Sequence, residues 1–308
     1  MKLPVPPLLS TQYVSKNLQK LVLLDSSWYM PNVPRNPSKE FESLRLPNSR
    51  FFNIDEVKDH SSKYPHMLPS PSDFSKHMER LKIQPSDHVV VYDTQGVFSS
   101  PRVFWTFKAF NHDNISVLNG GLPKWQTEGL KLIKDEDPSK YFSQLPTTTY
   151  PVPELNSKLL KEYSQVLGIV KQDKTNIQIL DARPTPRFTG EQPEPRPELS
   201  SGHMPHSKSL PFNIFIKEDE NGSKVFKSSE EVKSIIKEKG IDLSNPIINT
   251  CGSGITASIL YFSLKYLPNF AIDSNESNVD VEEIDISVYD GSWTEYASKK
   301  DTSIILKN

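Results

Sequence analysis

Residues 246–266 read PIINTCGSGITASILYFSLKY, and the order of elements in this stretch decides the fold. A short apolar run from Pro246 to Cys251 stops at a glycine-rich turn, the pattern of a buried strand. From Ile255 to Tyr266 the apolar residues then recur at helical spacing. Strand, tight loop and helix in direct succession are the unit of a parallel α/β sheet. The same succession occurs earlier, where Val89 to Asp93 (VVVYD) precedes a helical pattern from Pro101 to Phe110.

Other landmarks recur in the same order. Leu21–Asp25 (LVLLD) and Ile177–Asp181 (IQILD) are both apolar runs ending in an acid. Leu46-Pro47-Asn48-Ser49 leads to Phe51-Phe52, as His203-Met204-Pro205-His206 leads to Leu210-Pro211-Phe212. Val117–Trp125 (VLNGGLPKW) matches Val288–Trp293 (VYDGSW). Spacing is kept as well: 93 minus 25 puts 68 positions between Asp25 and Asp93, and 251 minus 181 puts 70 between Asp181 and Cys251.

A chain of 308 residues has room for two domains. The expectation is two copies of one α/β domain, over 1–136 and 158–308, each a mostly parallel sheet with helices on both faces. Residues 137–157 are Pro-rich and polar, the composition of an extended linker. The stretch from Asn269 to Asp285 is acidic, contains no base, and is expected to be a solvated insertion.

Bulk properties narrow the function. A formal charge of −2 supplies no field to recruit nucleic acid or an anionic membrane, so neither is an expected partner. No apolar run approaches the ~18 residues of a membrane span. One cysteine rules out an internal disulfide framework and suits a reducing compartment. The opening MKLPVPPLLS is too short and too proline-rich for a secretory h-region, which points to the cytoplasm, with a mitochondrial pool also compatible.

The chemistry centres on Cys251. Active groups in open α/β sheets gather at the carboxyl ends of strands, and Cys251 ends one. Gly252 and Gly254 let the backbone curl so that successive amides face the sulfur, while the helix that follows adds its positive end. Both favour the thiolate, the nucleophilic form. Asp93 holds the same place in the first copy, which is therefore expected to be non-catalytic. A bare core cysteine is the plainer alternative. Two rival loops fit worse. Gly252-x-Gly254-x-x-Ala257 follows a dinucleotide fingerprint but lies deep within a repeat. A cysteine phosphatase loop would need arginine where Ala257 stands.

The loop CGSGITA, the motif Tyr289-Asp290-Gly291-Ser292-Trp293-Thr294-Glu295-Tyr296 and the duplicated layout resemble the rhodanese family from about Leu18 to Tyr296. Within it, the sequence is most similar to 3-mercaptopyruvate sulfurtransferases and to fungal relatives that feed sulfur to tRNA thiolation. Thiosulfate-specific members typically carry a base just after the cysteine. A neutral loop instead suits a donor without a dianionic head. The resemblance implies that Arg187 and Arg196, from Arg187-Phe188-x-Gly190 and Glu194-Pro195-Arg196, hold the donor's carboxylate and carbonyl. It places Gly252, Gly254, Ile255 and Thr256 around the donor. It further implies a relay of Ser253, His66 and Asp55 beside Cys251, with the last two supplied by the first copy. Asn53 and Pro65 depart from the family pattern, as does His203-Met204-Pro205-His206. The implied acceptor is cyanide, thioredoxin, another thiol or a sulfur-relay protein, with no cofactor. A thiosulfate-preferring enzyme and a non-catalytic relay scaffold are the alternatives. His60, His77, His88, His112, His203 and His206 form no metal set and are expected to be solvated loop residues.

Overall fold

The runs with strand character lie at the centres of two sheets. The structure is a computed structural model and describes residues 5–276, 283–299 and 304–307. The first sheet has five strands in the spatial order Leu8–Leu9, Ile115–Leu118, His88–Tyr92, Leu21–Asp25 and Ser49–Phe51. The second is ordered Leu160–Lys161, Ile286–Tyr289, Ile247–Thr250, Gln178–Asp181 and Ser207–Ser209. Every pairing in both is parallel. The second half of the chain therefore retraces the first strand by strand.

Side chains alternate across a strand, and here both faces are covered. Val89 and Val91 enter one apolar core while Val90 and Tyr92 enter another. Ile247 and Ile248 divide in the same way. One of these cores is shared by the two halves. Helices Ser100–Ala109 and Ala257–Lys265, each following a central strand, meet in it. Phe104 stands edge-on to Phe262 at 4.9 Å and to Tyr266 at 5.2 Å between ring centres. Packing two nearly wholly buried helices together brings the strand ends before them to one junction.

Three expectations change. Residues 137–157 are not a free spacer: they include the helix Pro138–Phe142, and Tyr150 is buried with its hydroxyl 2.9 Å from His112 Nδ1. His112 and His203 are themselves buried, not solvated. His203 stacks on Phe188 at 4.1 Å and donates from Nδ1 to the Phe188 carbonyl. The acidic stretch is partly tied down, because Asp273 accepts from Ser10 N–H (2.7 Å) and Ser10 Oγ–H (2.6 Å) and donates its own N–H to Leu8 (2.9 Å). Residues 277–282 of that stretch lie outside the described residues. Among the described residues no helix is long and apolar enough to cross a membrane.

Candidate functional site

Strand register fixes which residues correspond. Asp25 pairs with Tyr92 and Asp181 with Thr250, so Asp93 and Cys251 are both the first residue beyond the central strand. Cys251 is 2% exposed, and its Sγ accepts a hydrogen bond from Gly254 N–H at 3.2 Å. Gly254 holds φ +82°, and a Cβ there would lie 2.6 Å from Arg102 Nη1, so the turn demands glycine on both counts. Among the described residues the amides of Gly252, Ser253, Ile255 and Thr256 have no protein acceptor. The loop thus aims one amide at the sulfur and leaves four more without a partner in the chain.

The late motif clamps this loop. Cys251 N–H donates to Ser292 Oγ (3.2 Å), and the Cys251 carbonyl accepts from Trp293 N–H (2.9 Å). The Gly252 carbonyl accepts from Thr294 N–H (3.0 Å) and Thr294 Oγ–H (2.6 Å). Ser292 adopts φ +49°, close to the +53° of Gly121 at the corresponding turn of the first half.

From the first half, His66 reaches across the junction. Its Nδ1 lies 3.1 Å from Ser253 Oγ, and its Nε2 lies 3.2 Å from Asp55 Oδ1. Trp28 Nε1–H donates to Asp55 Oδ2 at 3.2 Å, and the Trp28 ring stands edge-on to the imidazole at 4.9 Å. Burial pushes the His66 pKa down against the pull of Asp55, so the ring is neutral at pH 7. The hydrogen bond from His66 in turn holds the half-exposed Asp55 carboxyl below its usual range. A neutral ring that donates from Nε2 to a carboxylate turns the Nδ1 lone pair toward the serine hydroxyl.

The two arginines flank the loop's other side. Arg187 Nη2 lies 3.4 Å from where a Cβ on Gly252 would stand, and its head is ion-paired with Glu194. Arg196 Nη1 donates to Thr294 Oγ1 at 3.3 Å, the same hydroxyl that clamps the Gly252 carbonyl. Behind them Arg183, fully buried, joins Asp181 (2.6 Å) to Glu194 (2.7 Å) over the Trp293 ring at 4.1 Å. Cys251, Ser253, His66, Asp55, Arg187 and Arg196 are therefore brought to one place. Ile255 differs from expectation: its side chain is 3% exposed and joins the shared core, leaving only its backbone for the cleft. A separate cleft of about 800 Å³ between the halves is lined by Asp59, Leu68, Tyr163, Asp290 and Glu295, among others, and by none of Cys251, Arg187 and Arg196.

Sequence reading did not single out Trp28, Arg102, Arg183, Ser292 or Thr294. Asp290 to Thr294 lay in a quoted motif, which was a signal for the clamp. Arg102 gave none, because its partners come from distant parts of the chain.

Fold and site together define a duplicated α/β enzyme with one cysteine loop, in its second unit. The model of the rhodanese-like domain matches residues 10–128 and 169–299, and the chain belongs to the rhodanese family of sulfurtransferases. It is 37% identical over 299 residues to the 3-mercaptopyruvate sulfurtransferase of Rattus norvegicus, covering 94% of this chain and 91% of the relative. It is 34% identical over 313 residues to the mitochondrial thiosulfate/3-mercaptopyruvate sulfurtransferase 1 of Arabidopsis thaliana, covering 97% and 78%. The solved structure of the Tum1 protein from Saccharomyces cerevisiae superposes with a TM-score of 0.83 at 28% identity, over 99% of both chains.

Proposed function

We propose that the protein transfers sulfur from 3-mercaptopyruvate to a thiol by way of a persulfide on Cys251. The Cys251 thiolate attacks the donor's sulfur; an S–S bond forms as the C–S bond breaks. The bonding pair leaves with carbon as pyruvate enolate. Neutral His66, held by Asp55, takes the donor's thiol proton through Ser253 and returns it to the enolate carbon, which gives pyruvate and leaves the persulfide as its anion. An acceptor thiol then takes the outer sulfur and returns Cys251. Arg187 and Arg196 bind the donor's carboxylate and carbonyl, a planar target that suits guanidinium. The Gly254 amide faces the sulfur, and those of Gly252, Ile255 and Thr256, which have no other acceptor among the described residues, join it in holding the charge, where preorganised donors count for most.

The observation that carries this reading is the Gly254 N–H aimed at the Cys251 sulfur, within a loop that adds no cationic side chain. A neutral loop favours the monoanionic keto acid over dianionic thiosulfate. The relatives' names include both donors, so identity alone does not choose between them. The proposed acceptor is thioredoxin, cyanide in vitro, or a protein of a sulfur relay such as that serving tRNA thiolation. The proposed division is a non-catalytic unit over 1–136 and a catalytic one over 158–308. A cytoplasmic pool is proposed beside a mitochondrial one, for which the plant relative's name gives support.

Parallel steady-state assays with the two donors test the reading. Mercaptopyruvate is expected to give the higher kcat/KM by at least about tenfold, roughly 1.4 kcal/mol of transition-state preference. Thiosulfate equal or better would remove the donor assignment, and no turnover with either would favour the relay scaffold.

A further inference from the structure

One ion pair lies buried where the two halves meet. Arg102, from helix Ser100–Ala109, is 3% exposed, and Asp290, just past strand Ile286–Tyr289, is 2% exposed. Their nearest atoms are 2.7 Å apart. The Arg102 N–H bonds are not aligned on that oxygen, so the contact is coulombic. Desolvating two charges consumes most of what their attraction returns, so such a pair contributes little net stability. What it can supply is registry, and the remaining bonds show of what.

Arg102 Nη2 donates to the His66 carbonyl, while Nη1 lies 3.4 Å from the Gly254 carbonyl, the residue whose amide faces Cys251 Sγ. Asp290 Oδ2 accepts from Leu68 N–H at 2.7 Å. The segment carrying His66 is thus gripped at 66 by the cation and at 68 by the anion. That grip has work to do, because His66 holds φ +62°, a left-handed conformation costly for a ring-bearing residue unless its surroundings enforce it. The Trp105 ring lies under the guanidinium at 4.6 Å and fixes its plane. A planar fork can reach a carboxylate and two carbonyls together, which a lysine ammonium on a flexible stem cannot.

We propose that the Arg102–Asp290 pair positions the reaction's proton relay: it fastens the His66 segment of the first half against the Cys251 loop of the second. Neither residue touches the reacting atoms, so both are positioning residues. The proposal rests on the relay role given above to His66.

The test is a double-mutant cycle on the full chain. Arg102→Lys keeps the charge beside Asp290 but loses the fork. It is expected to lower kcat for pyruvate release by about 10- to 100-fold, the scale of misplacing a catalytic group by about an ångström. KM should stay within about twofold, since Arg187 and Arg196 are untouched, and so should the alkylation rate of Cys251. In a His66→Ala background the same substitution should change kcat by less than about twofold, because the group it positions is gone. The paired variant Arg102→Gln with Asp290→Asn leaves no lone buried charge. It runs through the same cycle if Arg102→Lys does not accumulate as folded protein. An unchanged kcat in the normal background overturns the proposal, as does an equal loss in both backgrounds. Failure of the relay itself reads differently: His66→Ala alone would then leave kcat unaltered.

Discussion

The loop beyond the central strand is built the same way in both halves and filled in opposite ways. In the first, the Asp93 carboxylate turns inward. Its Oδ2 accepts from the amides of Phe98 (2.9 Å), Ser99 (3.0 Å) and Ser100 (2.9 Å) and from Ser100 Oγ–H (2.7 Å). Its Oδ1 accepts from Gln95 N–H at 2.9 Å. The chain's own anion thus satisfies the ring of amides. In the second half Cys251 stands at the same register position, and one amide reaches its sulfur at 3.2 Å. The comparison teaches that the loop is an anion cradle by construction. An internal carboxylate makes it structural; a sulfur that takes only one of the amides leaves the others for the charge that the proposed transfer would place there. The first cradle is also shut. A Cβ on Gly96 would sit 2.5 Å from the Lys224 carbonyl, in the hairpin Ile216–Phe226 that the second half lays across it.

Exchanging the fillers gives the largest expected effect. Cys251→Asp should place a resident anion in the second cradle, so pyruvate release should fall below about a thousandth of the wild-type rate while thermal stability does not drop. A stable variant that still turns over would break the parallel at its centre. Next, His66→Ala should lower kcat by about 10²- to 10⁴-fold, the range for a lost acid–base group. Burial holds His66 below the ordinary imidazole value of about 6.5, so the acid limb of wild-type kcat should lie under that pH. An acid limb above pH 7 would contradict the neutral relay.

Emptying the first cradle should show in stability rather than chemistry. Asp93→Ala strands several buried donors and is expected to cost about 3 kcal/mol or more in chemical denaturation, with turnover per folded molecule little changed. The smallest effect concerns the acids one strand over. Asp181 meets Arg183, whereas at the corresponding place Asp25 accepts from Ser27 N–H and, among the described residues, has no ion-pair partner and an Oδ2 without a hydrogen bond. Burial raises the Asp25 pKa to about 7 from an unfolded value near 3.8. Between those values the folded chain holds a proton that the unfolded chain has lost, so this group's contribution falls as pH rises and is gone above about 7. Asp25→Asn cannot ionise. Its gain in Tm should be nil near pH 4, grow with pH, and level off above pH 7; a gain independent of pH would mean Asp25 is not the strained group.

Much of this pairing is legible in the sequence. Buried parallel strands need unbroken apolar runs, so LVLLD, VVVYD, IQILD and PIINT stood out, and an acid at each first run exposed the duplication. The place of Cys251 was legible because strand, glycine turn and helix follow one another directly in the chain. The outer strands Leu8–Leu9 and Leu160–Lys161 are two residues long, too short to show a period. His112 and His203 sit among polar neighbours in the chain and are buried only by packing from elsewhere. Arg102 and Asp290 become meaningful only once the halves meet, since linear spacing carries no trace of a bond between distant segments.

The claim underlying all of this is that the Cys251 sulfur, and no other atom of the chain, carries the transferred sulfur. The direct measurement is peptide mass spectrometry of the intact wild-type protein after mercaptopyruvate, with no reductant or acceptor thiol. One added sulfur is expected on the peptide bearing Cys251, formed in step with the first equivalent of pyruvate. Pyruvate released while that peptide stays unmodified would contradict it.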